Sequence, residues 1–285
     1  MSGLRFSFNK EVHLNQPAGN HRQPPVKTRL DQLLVTRGLA RSRTQAQALI
    51  LAGRVRLAGG GVAVKPGTLV AGETAITLKP APRFVSRGGE KLAAALEHFR
   101  VLPGGKTALD AGAATGGFTQ VLLLAGAKIV YAVDVGYGQL DATLRADPRV
   151  VALERRNLRR LTREAVPEPI DLITLDLSFI SLTLVLPRML EFLRPGGEIL
   201  ALVKPQFEVG KGQVGKGGVV REPVRQQEAV AKVAAVAAAL GFQVSPAFPS
   251  PLKGPKGNQE YFLYLIGPGA EPGAAEVIDK NRKEF

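Results

Sequence analysis

The sequence has no cysteine and no tryptophan, and it contains only three histidines among 285 residues. Without cysteine, disulfides, thiolate nucleophiles and cysteine-ligated metal sites are excluded. The histidines are scattered, at positions 13, 21 and 98, so a metal site built from protein ligands is not expected. Long apolar runs are absent too, because the most alanine-rich stretch, residues 229–240, is shorter than the roughly 20 residues that span a bilayer. The N-terminal stretch is polar and has no secretory signal, so a cytoplasmic protein without membrane contact is expected.

The most informative stretch is TALDAGAATGGFT, residues 107–119. A short apolar run, a loop of small residues and an apolar helical segment are typical of a first strand, a glycine turn and a helix N-terminus in an α/β sheet. The next apolar run ends in Asp134, 24 positions after Asp110. An acidic side chain about 20 residues on, at the tip of a second strand, can bind ribose hydroxyls. The stretch therefore predicts a cofactor that contains adenosine.

The same loop lacks the signatures of phosphate binding. A dinucleotide fingerprint is missing because two alanines and a threonine separate Gly112 from Gly116, and Phe118 stands where a P-loop has lysine. No site for a pyrophosphate is expected, which disfavours a nicotinamide oxidoreductase. A loop that begins with Asp110 suits the zwitterionic amino-acid end of S-adenosylmethionine. An ordinary glycine-rich turn in another α/β enzyme remains the alternative.

Positive charge is concentrated near the N-terminus. Residues 1–80 carry +9 of the total net charge of +14, from twelve basic and three acidic residues. A basic excess in a small segment is the electrostatic signature of nucleic-acid binding, and a solvated, solubilising face is the alternative. Residues 1–26 have no sustained periodicity and are predicted to be a flexible extension, followed by a small domain at residues 27–80.

This small domain is predicted to contain two helices and a hairpin. A helix at residues 28–37 is followed by a second one that starts at Ser42, with Gln45 as its capping-box partner. Residues 54–57 and 62–65 then alternate around three glycines, as in a β-hairpin. The pattern is that of an α+β unit.

These residues resemble the alpha-L RNA-binding motif found in ribosomal small-subunit proteins, pseudouridine synthases and tyrosyl-tRNA synthetases. The resemblance rests on Arg29-Leu30-Asp31, Ala40-Arg41-Ser42-Arg43, Ala46, Ile50, Gly53-Arg54-Val55 and Val64-Lys65-Pro66. In that family the helix pair and the hairpin present arginines to the phosphates of folded RNA. The resemblance implies RNA binding by Arg29, Arg41, Arg43, Arg54 and Arg56.

Beyond a linker at residues 81–90, strands alternate with helices, which predicts a mostly parallel, doubly wound α/β sheet in a domain at residues 91–267. The last two strands are joined by a short connection, which suggests an antiparallel edge, as in the class I methyltransferase fold. A tail at residues 268–285 follows. The first strand is predicted to start at Thr107. Further strands are predicted at residues 127–133, 150–153, 171–176, 198–204, 242–244 and 260–266. A turn at 195–197 precedes the strand at 198–204, and a long helix is predicted at 224–240.

Four charged residues are predicted to converge at one edge of this sheet. Ligands of such sheets bind beyond the carboxyl ends of the parallel strands, where Asp176 and Lys204 stand. Glu260 opens the last strand, which begins at that same edge if it is antiparallel, and Lys91 opens the helix that leads into the domain. Each residue alone would be interpreted as a solvated charge. As an ordered set beside the glycine loop, they resemble the Lys-Asp-Lys-Glu tetrad of FtsJ-type 2′-O-ribose methyltransferases.

Over residues 27–267 the chain is similar to the TlyA-type family of ribosomal RNA methyltransferases. The further motifs that carry this resemblance are VSRGG at 85–89, DLSFIS at 176–181, VKPQFE at 203–208 and GNQE at 257–260. It implies 2′-O-methylation of ribosomal RNA, at a cytidine, with ribosomal RNA or a ribosomal subunit as the partner. It also implies S-adenosylmethionine bound by Asp110, Gly112, Ala113, Thr115, Gly116, Asp134 and Asp176, with Asn157 near the adenine.

The chemistry gives each member of the tetrad a role. A ribose hydroxyl is a poor nucleophile until its proton is held or removed, so Lys204 is assigned as the base, Asp176 and Lys91 as its positioners, and Glu260 as an orienting acceptor. One alternative is an RNA-binding, haemolysin-like or ribosome-assembly factor with an inactive domain. Another is a base-methylating enzyme, although the Asn-Pro-Pro-Tyr clamp of such enzymes is absent. The polar loop at residues 210–222 either clamps RNA or is disordered.

Overall fold

The computed structural model describes residues 26–58, 62, 65–80, 82–210 and 212–270. The predicted extension before residue 26, the end of the predicted tail and residues 63–64 of the predicted hairpin lie outside these ranges. The chain divides into two compact units, with the boundary between Ala81 and Pro82. Within the described ranges, no helix is both long and apolar enough to cross a membrane.

The N-terminal unit packs two helices against short antiparallel strand pairs. Its elements are β1 (Lys27–Arg29), α1 (Leu30–Thr36), α2 (Arg43–Leu51), β2 (Val55–Leu57), β3 (Leu69–Ala71) and β4 (Ile76–Leu78). Ser42 caps α2, as expected, by accepting a hydrogen bond from the backbone N–H of Gln45. Leu30, Leu34 and Ile50 are fully buried between the two helices and hold the unit together.

The predicted hairpin is only partly present. Val62 makes a single antiparallel bridge with Arg56, but the strand that pairs with β2 is β4, and β1 pairs with β3. This long-range pairing places Leu57 beside Ile76 and packs both against the helical core. Local alternation around the glycines could not reveal a partner that lies twenty residues further on.

The second unit is built around one large sheet with helices on both faces. Its elements are α3 (Arg87–Phe99), β5 (Thr107–Ala111), α4 (Gly117–Leu124), β6 (Ile129–Val133), α5 (Ala142–Arg145), β7 (Val150–Leu153), β8 (Ile170–Leu175), α6 (Leu186–Leu190), β9 (Leu193–Val203), α7 (Pro205–Glu208), α8 (Pro223–Ala239), β10 (Gln243–Val244), β11 (Phe248–Pro249) and β12 (Tyr261–Ile266).

The strand order is β10-β12-β9-β8-β5-β6-β7, with β11 also paired to β12. Strands β5 to β9 are parallel to their neighbours, whereas β12 is antiparallel to β9, which confirms the predicted doubly wound sheet with an antiparallel part. Alternate side chains face opposite sides, so that Ala108 and Leu172 belong to one core cluster and Leu109 and Ile173 to the other. Burial on both faces explains why the strands are continuous apolar runs.

Two predicted boundaries were wrong. Strand β9 starts at Leu193, so the predicted turn at residues 195–197 lies inside it, at a register shift against β8 where Gly196 has a φ of +67°. Helix α3 starts at Arg87 rather than at Lys91. The glycines at its start do not favour a helix, so the sequence did not indicate where it begins. Glycine is nevertheless required at position 89, because a Cβ there would lie 2.4 Å from the side chain of Phe84.

Candidate active site

The loop between β5 and α4 is shaped by two glycines with left-handed backbone. Gly112 has a φ of +86°, and a Cβ there would lie 2.5 Å from the carbonyl oxygen of Asp176. Gly116 has a φ of +93°, and a Cβ there would lie 2.4 Å from the side chain of Leu144. Any side chain at either position would therefore push the loop away from its neighbours.

Two pockets adjoin at this loop. The first has a volume of about 360 Å³ and opens beside the N-terminus of α3. The second has a volume of about 390 Å³ and lies along the end of β6. Gly112, Ala114, Asp176 and Ser178 line both pockets. A single extended ligand can therefore pass from one pocket to the other over the glycine loop.

Six of the eight predicted cofactor residues line these pockets. Ala113 and Thr115 line the first pocket, Asp134 and Asn157 line the second, and Gly112 and Asp176 line both. The other two, Asp110 and Gly116, line neither. Gly116 is instead the point where the loop packs against α5.

The prediction that Asp110 meets the cofactor is not supported by its position. Its carboxyl group is fully buried and accepts hydrogen bonds from Thr119 Oγ1 at 2.6 Å and Thr174 Oγ1 at 3.1 Å. Burial raises the pKa of this carboxyl to about 7. Strand side chains alternate between faces, and position 110 points towards α4 rather than towards the ligand edge. Asp110 therefore ties β5 to α4 and β8 beneath the loop.

Asp134 stands where the sequence predicted it, directly after β6. One carboxylate oxygen accepts a hydrogen bond from the N–H of Ala114 at 2.8 Å, and the other accepts one from the N–H of Gly136 at 2.6 Å. The carboxylate thus connects the glycine loop to the turn after β6. Asn157 lines the same pocket and caps a short 3₁₀ turn, with its side-chain oxygen 3.0 Å from the N–H of Arg159.

The second pocket also has an apolar wall that sequence analysis missed. Leu177, Ile180 and Val185, from the stretch after β8, line it opposite Asp134. The available signal was that apolar residues continue past Asp176, beyond the end of the strand. A pocket with an apolar wall and the carboxylates of Asp134 and Asp176 suits a nucleoside, whose base is flat and whose ribose carries hydroxyls.

Lys204 and Asp176 form an ion pair in the first pocket. The Lys204 Nζ lies 2.7 Å from Asp176 Oδ1 and donates a hydrogen bond to Ser178 Oγ at 3.1 Å. Both charged side chains are mostly buried but remain open to the pocket. The ammonium group is therefore held by its hydrogen bond to Ser178 and by the opposite charge of Asp176, both from the segment after β8.

Lys91 and Glu260 form a second, more deeply buried pair in the same pocket. The Lys91 Nζ lies 2.5 Å from Glu260 Oε2. Glu260 directly precedes β12, whose first residue Tyr261 is paired with Val203 in antiparallel register. Glu260 is thereby placed opposite Lys204. All four residues of the predicted tetrad line the 360 Å³ pocket, so the structure brings them together as the topology implied.

A third pocket, of about 350 Å³, lies on the other side of Lys204 and Glu260. Two aromatic residues line it, Phe179 and Phe207, whose ring centroids are 5.1 Å apart. Phe179 is 91% exposed and has a φ of +64°, which is rare for a bulky residue. An exposed aromatic ring beside charged catalytic-type residues was not predicted.

The polar loop predicted at residues 210–222 is folded over its described residues 212–222, rather than disordered. The buried side chain of Asn258 donates to the carbonyl of Gly218 at 2.8 Å and accepts from the N–H of Val220 at 2.9 Å. Gly215 and Val219 form an antiparallel bridge within the loop. This loop is thus a wall of the third pocket.

The five arginines predicted to bind RNA differ in their surroundings within the N-terminal unit. Arg29 and Arg43 both donate to the buried carboxylate of Asp31, at 2.9 and 3.0 Å, and hold its pKa well below the usual range. Arg54 donates to the backbone carbonyl of residue 79. Arg41 and Arg56 are exposed, and within the described ranges their guanidinium groups have no partner. Three of the five therefore also support the fold.

Titratable side chains do not form a metal site in the part of the chain that the structure describes. No group of three or more histidine, cysteine or acidic residues there is arranged to hold a metal ion.

Comparisons with known proteins match both units. Residues 84–266 match the model of the FtsJ-like methyltransferase family, and residues 28–76 match the S4 domain. The 16S/23S rRNA (cytidine-2′-O)-methyltransferase TlyA of Mycobacterium tuberculosis is 54% identical over 241 residues, which cover 84% of this chain and 90% of that protein.

Relatives with haemolysin names are similar along most of their length as well. Hemolysin A of Brachyspira hyodysenteriae is 38% identical over 239 residues, which cover 84% of this chain and 99% of that protein. A solved structure from Streptococcus thermophilus, named as a hemolysin, has a TM-score of 0.66 and 39% identity, covering 92% of this chain and 97% of its own.

Proposed function

The chain belongs to the FtsJ-like methyltransferase family, in its TlyA-type branch, and we propose that it transfers the methyl group of S-adenosylmethionine to the 2′-hydroxyl of a cytidine in ribosomal RNA. The observation that carries this proposal is the meeting of Lys91, Asp176, Lys204 and Glu260 in one pocket beside the glycine loop. Transfer to an oxygen needs a group that takes its proton, and the pocket supplies two lysines held by two carboxylates.

The residues present fit S-adenosylmethionine. The second pocket suits its adenosine, with the Asp134 carboxylate at the ribose hydroxyls and the apolar wall against the base. The first pocket suits its methionine end, because the glycine loop there offers backbone N–H groups and the pocket also has carboxylates for an ammonium group. When bound, the cofactor supplies a methyl group on a positively charged sulfur. Asp176 and Ser178, at the junction of the two pockets, stand where the two parts of the cofactor meet.

Lys204 is the base in this proposal. In its neutral amine form, Nζ accepts the proton of the ribose 2′-hydroxyl as the new oxygen–carbon bond forms, and the resulting ammonium group is paired with Asp176. Asp176 and Ser178 fix the direction of Nζ through the 2.7 and 3.1 Å contacts. Pre-arranged groups of this kind need no reorganisation when charge develops, which is a main source of catalytic rate.

Lys91 and Glu260 form the opposite wall of the reacting space. Glu260 holds the Lys91 ammonium group at 2.5 Å and supplies its counter-charge. A fixed positive charge there stabilises the negative charge that develops on the ribose oxygen as its proton moves to Lys204, until the bond to the methyl carbon has formed.

The N-terminal unit supplies RNA affinity in this proposal. It matches an S4 domain, and its segment of the chain carries most of the excess positive charge. Arg41 and Arg56 are free to contact phosphates, while Arg29, Arg43 and Arg54 can do so from positions fixed by the fold. The methyltransferase is favoured over an RNA-binding factor with an inactive domain, because all four residues of the tetrad are present and line one pocket.

Single-turnover transfer of labelled methyl from S-adenosylmethionine to ribosomal subunits tests the proposal. After alkaline hydrolysis, label is expected in alkali-resistant dinucleotides, because a methylated ribose cannot be cleaved at its own linkage. Lys204→Ala is expected to abolish the signal. Lys128→Ala, which removes an exposed lysine at the opposite end of the sheet, is the matched control. Label in ordinary mononucleotides would overturn the ribose assignment. A wild-type protein that transfers no methyl group would overturn the proposed methyltransferase activity.

A further inference from the structure

Two short segments carry the centre of the candidate site. Residues 176–182 follow β8 and include Asp176, Ser178 and Phe179; residues 204–208 follow β9 and include Lys204 and Phe207. The sheet fixes each segment where it leaves its strand. The far ends need another support, because neither segment continues into a neighbouring strand.

Glu208 joins the far ends of the two segments. It is the last residue of α7, and its side chain accepts a hydrogen bond from Ser181 Oγ at 2.5 Å and from the N–H of Leu182 at 2.7 Å. The residue is only 2% exposed. Two buried acceptor contacts from one carboxylate to the neighbouring segment form a bridge rather than a surface contact.

Burying this carboxylate costs desolvation free energy. Burial raises its pKa, and Lys232, whose Nζ donates to the backbone carbonyl of Glu208 at 2.8 Å, partly offsets that effect. An apolar residue would fill the same space without a desolvation penalty. A charged acceptor is therefore used here for the geometry it imposes on Ser181 and Leu182.

The bridge closes a ring that contains the reacting groups. Starting from the sheet, the ring runs along residues 176–182, through Glu208 and back along residues 204–208. Inside it, Lys204 contacts Asp176 and Ser178, and Phe179 packs on Phe207. The left-handed backbone of Phe179 persists only where its surroundings hold it, and the bridge is the nearest constraint downstream.

We propose that Glu208 is a positioning residue for methyl transfer, which sets the distance between the segment of Asp176 and the segment of Lys204 without touching either substrate. This inference rests on the proposed function. Since an error of about 1 Å in the position of a reacting group can cost on the order of 100-fold in rate, loss of the bridge should lower kcat more than it lowers binding.

The test compares methyl transfer by Glu208→Ala, Glu208→Gln and Ser181→Ala at saturating cofactor and RNA. Glu208→Ala is expected to lose about 10- to 100-fold in kcat while its KM for RNA stays within about threefold. Glu208→Gln can still accept from Leu182 and donate to Ser181, so it is expected to recover most of the rate. Glu228→Ala, an exposed carboxylate on α8, is the matched control and should keep the wild-type rate.

Ser181→Ala removes only one arm of the bridge and keeps the proposal testable if Glu208→Ala does not fold. It is expected to lose about three- to tenfold in kcat, and the double variant should be no slower than Glu208→Ala, because both changes act on one contact. The inference is overturned if Glu208→Ala keeps its kcat, or if Glu208→Gln is as slow as Glu208→Ala. A wild type without methyl transfer would instead refute the proposed function.

Discussion

Lys91 and Glu260 lie 169 positions apart in the sequence, yet their charged groups are 2.5 Å apart in the protein interior. The side chains are 8% and 1% exposed, respectively. The contact joins α3 to the residue that directly precedes β12. It is therefore both part of the candidate site and a connection between the two ends of this unit.

Variants of Lys91 and Glu260 should distinguish the contribution of this ion pair to stability from its contribution to catalysis. Glu260→Gln leaves a buried ammonium group without its counter-charge and is expected to lower the free energy of unfolding by about 3–5 kcal/mol. The double variant Lys91→Met with Glu260→Leu should regain much of that stability and still transfer no methyl. Urea unfolding and the methyl-transfer assay measure the two effects. An active double variant would show that the pair is only structural.

Lys204→Ala should bind cofactor and RNA almost normally and lose turnover. Removal of a general base typically costs about 10²–10⁴-fold in rate. Lys204→Arg should not restore activity, because a guanidinium group stays protonated and has a different shape. Calorimetry of cofactor binding and single-turnover kinetics distinguish binding from chemistry. Normal turnover by Lys204→Ala would remove this residue from the mechanism.

Gly112→Ala should abolish cofactor binding, because its Cβ would overlap the carbonyl oxygen of Asp176. Gly138→Ala is the matched control. Gly138 also has a positive φ, of +67°, but nothing lies within 4 Å of a Cβ built there. That change should cost only the backbone strain of about 1–2 kcal/mol and leave cofactor affinity unchanged. Equal affinities for the two variants, measured by calorimetry, would contradict the assigned role of the loop.

Asp110 should make the stability of the second unit fall as pH rises from about 4 to about 7. Its carboxyl has a pKa of about 7 in the folded protein, whereas an unfolded aspartate titrates near 3.9. Between about pH 4 and 7 the folded state therefore binds one more proton than the unfolded state. The free energy of unfolding then falls by up to about 1.4 kcal/mol per pH unit, and the fall ends above pH 7.

Asp110→Asn keeps a polar group between Thr119 and Thr174 but cannot titrate. The difference between the wild-type and Asp110→Asn unfolding free energies, from urea titrations at several pH values, isolates this one group from all others. The difference should change with pH as described. Parallel curves would mean that Asp110 is ionised, and hence paired, in the folded protein.

Arg41 and Arg56 should contribute to RNA affinity through phosphate contacts alone. Each change to alanine is expected to reduce the salt dependence of RNA binding by roughly one unit of slope and to leave thermal stability unchanged. Arg54→Ala should lower stability as well, because it removes the hydrogen bonds to the carbonyl of residue 79. Binding titrations at several salt concentrations and thermal melts make the comparison. An unchanged slope for both exposed arginines would exclude them from the interface.

Much of the large sheet could be predicted because its parallel strands are buried on both faces. Such strands are unbroken apolar runs, and glycine and proline mark their ends. The edge at which Asp176 and Lys204 stand then follows from topology alone, since the carboxyl ends of parallel strands meet there. Glu260 could be added because a short connection implies an antiparallel strand.

What could not be predicted depends on packing between distant residues. The direction of the Asp110 side chain is decided by Thr119 and Thr174, one of them 64 residues away. The pairing of β2 with β4 depends on how three strands share one small core. No local sequence pattern predicts the contact of Glu208 with Ser181, because the sequence alone does not show whether a glutamate is buried or solvated.

The antiparallel course of β12 has a consequence for the order in which the enzyme is made. Synthesis delivers β5 to β9 first, so these strands can pair while residues 260–266 are still inside the translating machinery. Until Glu260 emerges, Lys91 has no counter-charge and β9 has an open edge. A nascent chain that stopped just short of residue 260 would contain each proposed cofactor residue and three members of the tetrad. The proposed tetrad is thus completed only when residue 260 has been synthesised.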